Sequence, residues 1–224
     1  MIPAWLHWLS WASLAVALAC AFAIAAGVVR HPQRMAIMNI VWPVTALFGS
    51  VLSVWAYRKW GRGDVPFPAQ VVKGALHCGS GCTLGDVAAE VLSLAAPGVL
   101  VAFGYGSLFG NEVFARWTLD FVFAFAIGIV FQYFAIVPMR HLGFLRGVWA
   151  AVKADALSLC AWQLGMYGFM ALAGFWIFAD VLGTKLEPSM PEFWFVMQWA
   201  MLCGLATSYP VNWWLIRRGW KEAM

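Results

Sequence analysis

The chain has 224 residues, of which 63% are hydrophobic, 17% aromatic and 11% charged, with a formal net charge of +4. A charged fraction below half of the roughly one quarter usual in soluble domains excludes an ordinary globular protein, and several apolar runs approach or exceed the about 20 residues that cross a bilayer as helix. The Lys and Arg residues fall in short groups between apolar runs, which excludes a nucleic-acid surface and reports orientation in a bilayer instead.

The pattern predicts an all-α polytopic transmembrane bundle of about six spans. It reads as one integral membrane domain over 1–224, with a two-helix part at 1–62 and a four-helix part at 77–224. The first span covers about Trp5 to Val29, with Ala15, Ala19, Ala23 and Gly27 every four residues, a strip that lets another helix approach closely. No basic segment precedes it, and Trp5, Trp8 and Trp11 suit a membrane interface better than a signal peptide. The second span covers about Met35 to Tyr57. A Pro- and Gly-containing loop then leads to a third span expected from Thr83 to Gly104, opened by a capping arrangement at Thr83 to Asp86 and kinked at Pro97-Gly98. The remaining spans fall at about Phe114 to Met139, Val148 to Phe178 and Phe193 to Ile216.

With six spans, both termini share one side. That side collects Arg58, Lys59, Arg62, Lys73, Arg140, Arg146, Lys153, Arg217, Arg218 and Lys221, against Arg30, Arg34, Arg116 and Lys185 on the other, so both termini are expected in the cytoplasm of a bacterial inner membrane. The loop with Arg30 and Arg34 runs against this rule.

Five cysteines are present. Cys20, Cys160 and Cys203 lie in apolar runs and read as small buried hydrophobes. Cys78 and Cys82 form a pair in His77-Cys78-Gly79-Ser80-Gly81-Cys82-Thr83-Leu84-Gly85-Asp86, followed by Glu90. One imidazole and two thiols make a soft set suited to Cu(I) or Zn(II), with Asp86 and Glu90 to complete the shell or relay protons. Two alternatives stand beside it, a thiol redox pair and a well-packed helix start. A carboxylate at the depth of Glu90 is expensive in a membrane and marks a site. Polar faces on other spans are expected at the same depth: Asp155, Ser158, Gln163 and Met166 on the fifth, Met197, Met201, Tyr209 and Asn212 on the sixth, Gln132 and Tyr133 on the fourth. Asp120 is expected apart from them, near the outer mouth. Four scattered His offer no bis-His pair for haem, and nothing matches a phosphate-binding Gly loop, a nucleophile elbow or a His-Glu-x-x-His motif.

The His77–Asp86 stretch with Glu90, Gln132 to Arg140, Lys153 to Leu159, Gly165-Met166 and Ser208 to Arg217 together resemble the bacterial membrane proteins catalogued as domain of unknown function 4396. The resemblance covers residues 77–224 and implies a multi-spanning helical fold with no established activity. An acid is usual in that family where this chain has Gln163, which argues against an obligatory charge there. Some members carry copper-related names. The leading expectation is therefore a membrane protein that binds a transition metal, copper before zinc, for transport or metal handling. A thiol-redox protein using Cys78 and Cys82, and a structural or assembly protein without metal, are the alternatives. The expected partners are the lipid bilayer and either a second copy or a metal-handling protein, with no nucleic acid.

Overall fold

The computed structural model describes residues 1–223. They form helices α1 (Ala4–Arg30), α2 (Met38–Trp60), α3 (Phe67–Ala95), the single turn α4 (Val99–Ala102), α5 (Glu112–Arg140), α6 (Phe144–Ala171), which continues as a π-helix over Leu172–Val181, and α7 (Pro191–Arg217). By length and composition, Ala4–Arg30, Met38–Trp60, Glu112–Arg140 and Phe144–Val181 are long and apolar enough to cross a membrane. The fold is a transmembrane helix bundle, as composition predicts. Trp5, Trp8 and Trp11 are exposed, as an interfacial belt requires.

The second apolar segment departs from its expected course. Ser50 has φ 44° and ψ −122°, far from helical values, and the ring of Trp42 lies 5.6 Å from that of Tyr57. Fifteen residues of straight helix would hold those rings about 22 Å apart. The segment is therefore a hairpin of two half-length helices, Met38 to Gly49 and Val51 to Trp60, both too short to cross. Its open end is closed by side chains: Ser53 Oγ donates to the Thr45 carbonyl at 2.9 Å, and Gln198 Nε2 donates to the Leu47 carbonyl at 2.8 Å. Broken backbone at membrane depth is tolerated where protein buries it in this way.

The hairpin inverts everything after it. α1 runs parallel to α7, since His7 Nδ1 meets Glu192 Oε1 at 2.8 Å and, further along both helices, Ser13 donates to Gln198 Oε1 at 2.7 Å. The amino group of Met1 donates to the Leu182 carbonyl at 2.8 Å, while Glu222 pairs with Arg140. The two termini thus lie at opposite ends of the bundle, which corrects the expectation that they share one. Arg30 and Arg34 now sit at the same end as Arg58, Lys59 and Arg62, and the dissenting loop falls into line.

The third helix also differs. It begins at Phe67, sixteen residues before the expected start at Thr83, because Pro66 and Pro68 flank the first helical residue and proline is pre-organised for a first turn. Thr83 is consequently mid-helix, and its hydroxyl donates back to the Gly79 carbonyl at 2.7 Å instead of capping anything. The helix ends at Ala95, so Pro97-Gly98 is a turn into α4 and not a kink.

Small residues set the helix spacing. A Cβ on Gly81 would lie 2.9 Å from the Cα of Gly128, and one on Gly85 would run into the backbone of Ala124. α3 and α5 thus touch backbone to backbone over the Gly81-x-x-x-Gly85 stretch, the close approach typical of membrane helices. At the centre, the fully buried ring of Trp162 on α6 fills the space left by Gly79 on α3 and Gly204 on α7, and Phe48 of the hairpin tip packs 5.7 Å from it.

Two outcomes follow from this fold. In a cysteine-free background, Gln33→Cys and Gly63→Cys should both react with an impermeant maleimide from one face of the membrane, and Lys185→Cys from the other; a straight second span would separate the first two. Ser50→Gly should stabilise the protein by about 1 kcal/mol in a chemical-denaturation series, because glycine adopts positive φ at no steric cost.

Candidate functional site

Polar groups on α3 form a column through the bundle, because its continuous helix spaces them one turn apart. His77, Cys78, Cys82, Asp86 and Glu90 are all at most 1% exposed. Being helical, the stretch from His77 to Glu90 is drawn out over about 20 Å. Among the described residues no three His, Cys, Asp or Glu side chains gather closely enough to hold one ion. The five expected ligands are therefore spread along α3 and do not gather around one point among the described residues.

Toward the N-terminal end of the bundle, three carboxylates from two helices converge. Asp86 Oδ1 accepts from Gln163 Nε2 at 3.3 Å, while Asp86 Oδ2 and Gln163 Oε1 are buried without a partner among the described residues. Glu90 Oε2 lies 3.4 Å from Arg116 Nε and accepts from Ser93 Oγ at 3.5 Å. Asp120, 1% exposed, has Glu90, Asp86 and Arg116 as its electrostatic neighbours, and neither of its oxygens meets a hydrogen-bond donor among the described residues. Arg116 also pairs with the half-exposed Glu112 at 3.3 Å. One guanidinium cannot neutralise three buried carboxylates, so protons or a bound cation must supply the rest of the positive charge.

Above this trio opens a cavity of about 650 Å³. Glu90 and Arg116 line it together with Glu112, Glu187 and Lys185, and the π-helical stretch contributes Gly174, Phe175 and Ala179 to its wall. A π-helix widens the backbone ladder and is frequent at functional sites. Trp117 stacks on Tyr167 at 4.9 Å, and the Tyr167 hydroxyl donates to the Trp117 carbonyl at 2.8 Å, which braces α5 against α6 beside the cavity.

At the centre stand Cys78, Cys82, His77 and the Met faces. His77 packs 6.0 Å from the ring of Phe131, and although the Phe131 backbone is near, neither imidazole nitrogen reaches hydrogen-bond geometry among the described residues. Thr83 Oγ1 lies 3.0 Å from Met201 Sδ, which brings a thioether to the level of Cys82. Met166 and Met197 are buried in the same core.

At the C-terminal end, Asp155 packs against α5 at Gly128, where a Cβ would come within 2.7 Å of its Oδ2. Asn212 Nδ2 donates to Ser158 Oγ at 2.7 Å and to the Ser208 carbonyl at 2.9 Å. Gln132, on the Gly128 face of α5, is fully buried with neither amide atom satisfied among the described residues.

Residues 69–221 match the family model described as domain of unknown function (DUF4396). The chain belongs to this family. No curated protein and no solved structure matches the chain. The family region holds the whole polar column, while α1 and the hairpin precede it.

Sequence reading thus named most of the column but misjudged its ends. Tyr133 packs against Gly147 and Phe144, and Tyr209 against Trp213, both away from the axis. Asp120, expected apart, belongs with Asp86 and Glu90, because α3 starts at Phe67 and carries both carboxylates toward the end where α5 begins. Arg116 and Lys221 were counted as orientation charges, yet both are buried. Cys160 is exposed, and Cys20 and Cys203 are partly so, which corrects their expected burial.

Arg116→Leu should destabilise the purified protein by about 3–5 kcal/mol, because it strands buried carboxylates. Arg116→Leu with Glu90→Gln should recover most of that loss in the same thermal assay. If the single variant unfolds like the wild type, the ion pair is not part of the interior.

Proposed function

We propose that this protein is a proton-coupled transporter of a bacterial inner membrane, in which Asp86, Glu90 and Asp120 bind the proton beneath the cavity and the column carries charge toward the opposite end. The observation that carries this reading is the trio itself, three buried carboxylates with a single guanidinium beside two of them, and with Asp86 Oδ2 and both Asp120 oxygens unpartnered among the described residues. Ionisable residues at such depth usually mark ion or proton pathways. A hairpin broken at half depth is a feature that transporters also use to build sites near the bilayer midplane.

The charge distribution supports an orientation. With the hairpin in place and the buried Arg116 and Lys221 left aside, Arg30, Arg34, Arg58, Lys59, Arg62, Lys73, Arg140, Arg146, Lys153, Arg217 and Arg218 lie toward the end that carries the C-terminus, against Lys185 toward the other. Eleven against one favours a cytoplasmic C-terminus and an external N-terminus and cavity.

A second reading concerns the cargo. Cys78 and Cys82 sit one turn apart on α3, and Met201 reaches the same level from α7. Two thiols and a thioether form a soft donor set that suits Cu(I) in passage, so copper is the favoured substrate, with the thiols as a transient station. Burial of both thiols in the bundle core disfavours a redox exchange with a soluble partner.

Liposomes loaded with a pH-sensitive dye test the proton step. Wild-type protein should dissipate an imposed pH gradient, and Asp86→Asn or Asp120→Asn should slow it at least about tenfold, the scale of losing one proton-transfer group. Flux in these variants equal to wild type would remove the carboxylates from the pathway. Copper analysis of the purified protein, with and without Cys78→Ser/Cys82→Ser, tests the cargo; equal copper in both removes the thiols as its station.

A further inference from the structure

The C-terminal tail ends in an arrangement that an inert cap does not need. After α7, Gly219 adopts φ 69° and turns the chain back, with the Trp220 amide donating to the Leu215 carbonyl at 3.0 Å. Lys221 then enters the bundle, and its side chain is fully buried. Its Nζ lies 3.5 Å from Asp155 Oδ1 and 3.5 Å from Ser158 Oγ. Both contacts are at the long limit of hydrogen bonding, so the ammonium is held by charge more than by directed bonds. Asn212 Oδ1, in a fully buried residue, points into the same region and has no partner among the described residues. On α3 the absent side chain of Gly74 leaves the space; a Cβ there would stand 3.9 Å from Asn212 Oδ1 and 4.0 Å from Lys221 Cε.

We propose that the slot formed by Asp155, Ser158 and Asn212 is a monovalent-cation site, and that the tail fills it with the ammonium of Lys221, closing the column at its C-terminal end. A carboxylate, a hydroxyl and an amide carbonyl form a hard oxygen set suited to a weakly hydrated cation of the size of ammonium or potassium. Lysine brings that same charge on a tether. A buried carboxylate without a counter-ion is too costly to persist, so Lys221 leaves only as another cation or a proton arrives. The rest of the tail is fastened by exposed groups: Arg140 binds Glu222 at 2.6 Å through Nε, with the two side chains 38% and 31% exposed. Exposed pairs of this kind contribute about 1 kcal/mol or less, so the latch is releasable.

This inference rests on the transport reading for its purpose, but its test measures binding and not flux. The unfolding temperature of the purified full-length protein is compared in potassium or ammonium chloride and in a bulky organic-cation chloride at equal ionic strength. Wild type should show no difference, because the site is filled from within. Lys221→Ala should gain about 4 °C or more in the small cations, the shift expected when a ligand well above its Kd binds a protein of this size. Asp155→Asn/Lys221→Ala should lose the gain. No gain in Lys221→Ala, or an equal gain in the double variant, overturns the proposal. Should Lys221→Ala fail to fold, Glu222→Ala keeps Lys221 and Asp155 intact and loosens the latch; it should show a smaller cation-dependent gain, and its absence overturns the proposal equally. Either failure leaves the proton-flux result for Asp86 and Asp120 standing.

Discussion

The bundle depends on one contact in its interior, the indole of Trp162 seated between Gly79 and Gly204. A ring of this size fits at the crossing of α3, α6 and α7 because both neighbours lack side chains at that level. In lipid there is little hydrophobic gain from bringing helices together, so such close van der Waals fit is what holds them. The same ring meets Phe48, and it therefore also supports the tip of the broken segment.

The hairpin in turn decides how the first helix lies against the rest. Because α2 returns to the end it came from, α3 starts where α1 stops, and α1 is reversed against the later helices relative to a six-crossing arrangement. The start of α3 at Phe67 sets its register against α5, so that Asp120 comes beside Asp86 and Glu90, and the turn after α7 brings Lys221 beside Asp155. The tight α3–α5 contact through Gly81 and Gly85 then brings these carboxylates close enough to interact. The molecule holds its charge imbalance at one end of the column and a compensated pair at the other. That polarity is what gives a transport reading its direction.

Within the family catalogued as domain of unknown function 4396, the matched region supplies the column, and the residues before it supply the hairpin that packs on its centre. The glycines of His-Cys-Gly-Ser-Gly-Cys carry structural duties independent of the thiols. Gly79 admits Trp162 and Gly81 admits α5, so the motif serves as a packing face on one side and a polar strip on the other.

Much of this was legible in the residues themselves. Composition alone determines a membrane-embedded helical protein, because so few charges cannot solvate a soluble surface. The depth cost of a buried carboxylate singled out Glu90, and Cys78, Cys82, Asp86 and Glu90 follow one another at four-residue spacing on α3. Hydropathy has no term for direction, however. A window that scores Met38 to Trp60 as one apolar run cannot register that Ser50 reverses the chain, since the reversal depends on Gln198 and Ser53 satisfying its carbonyls and on Phe48 finding Trp162. The same limit hid Arg116 and Lys221, whose burial follows from partners on other helices. Sequence determined the elements and the polar strip; tertiary contacts decided the course of the chain and which charges meet.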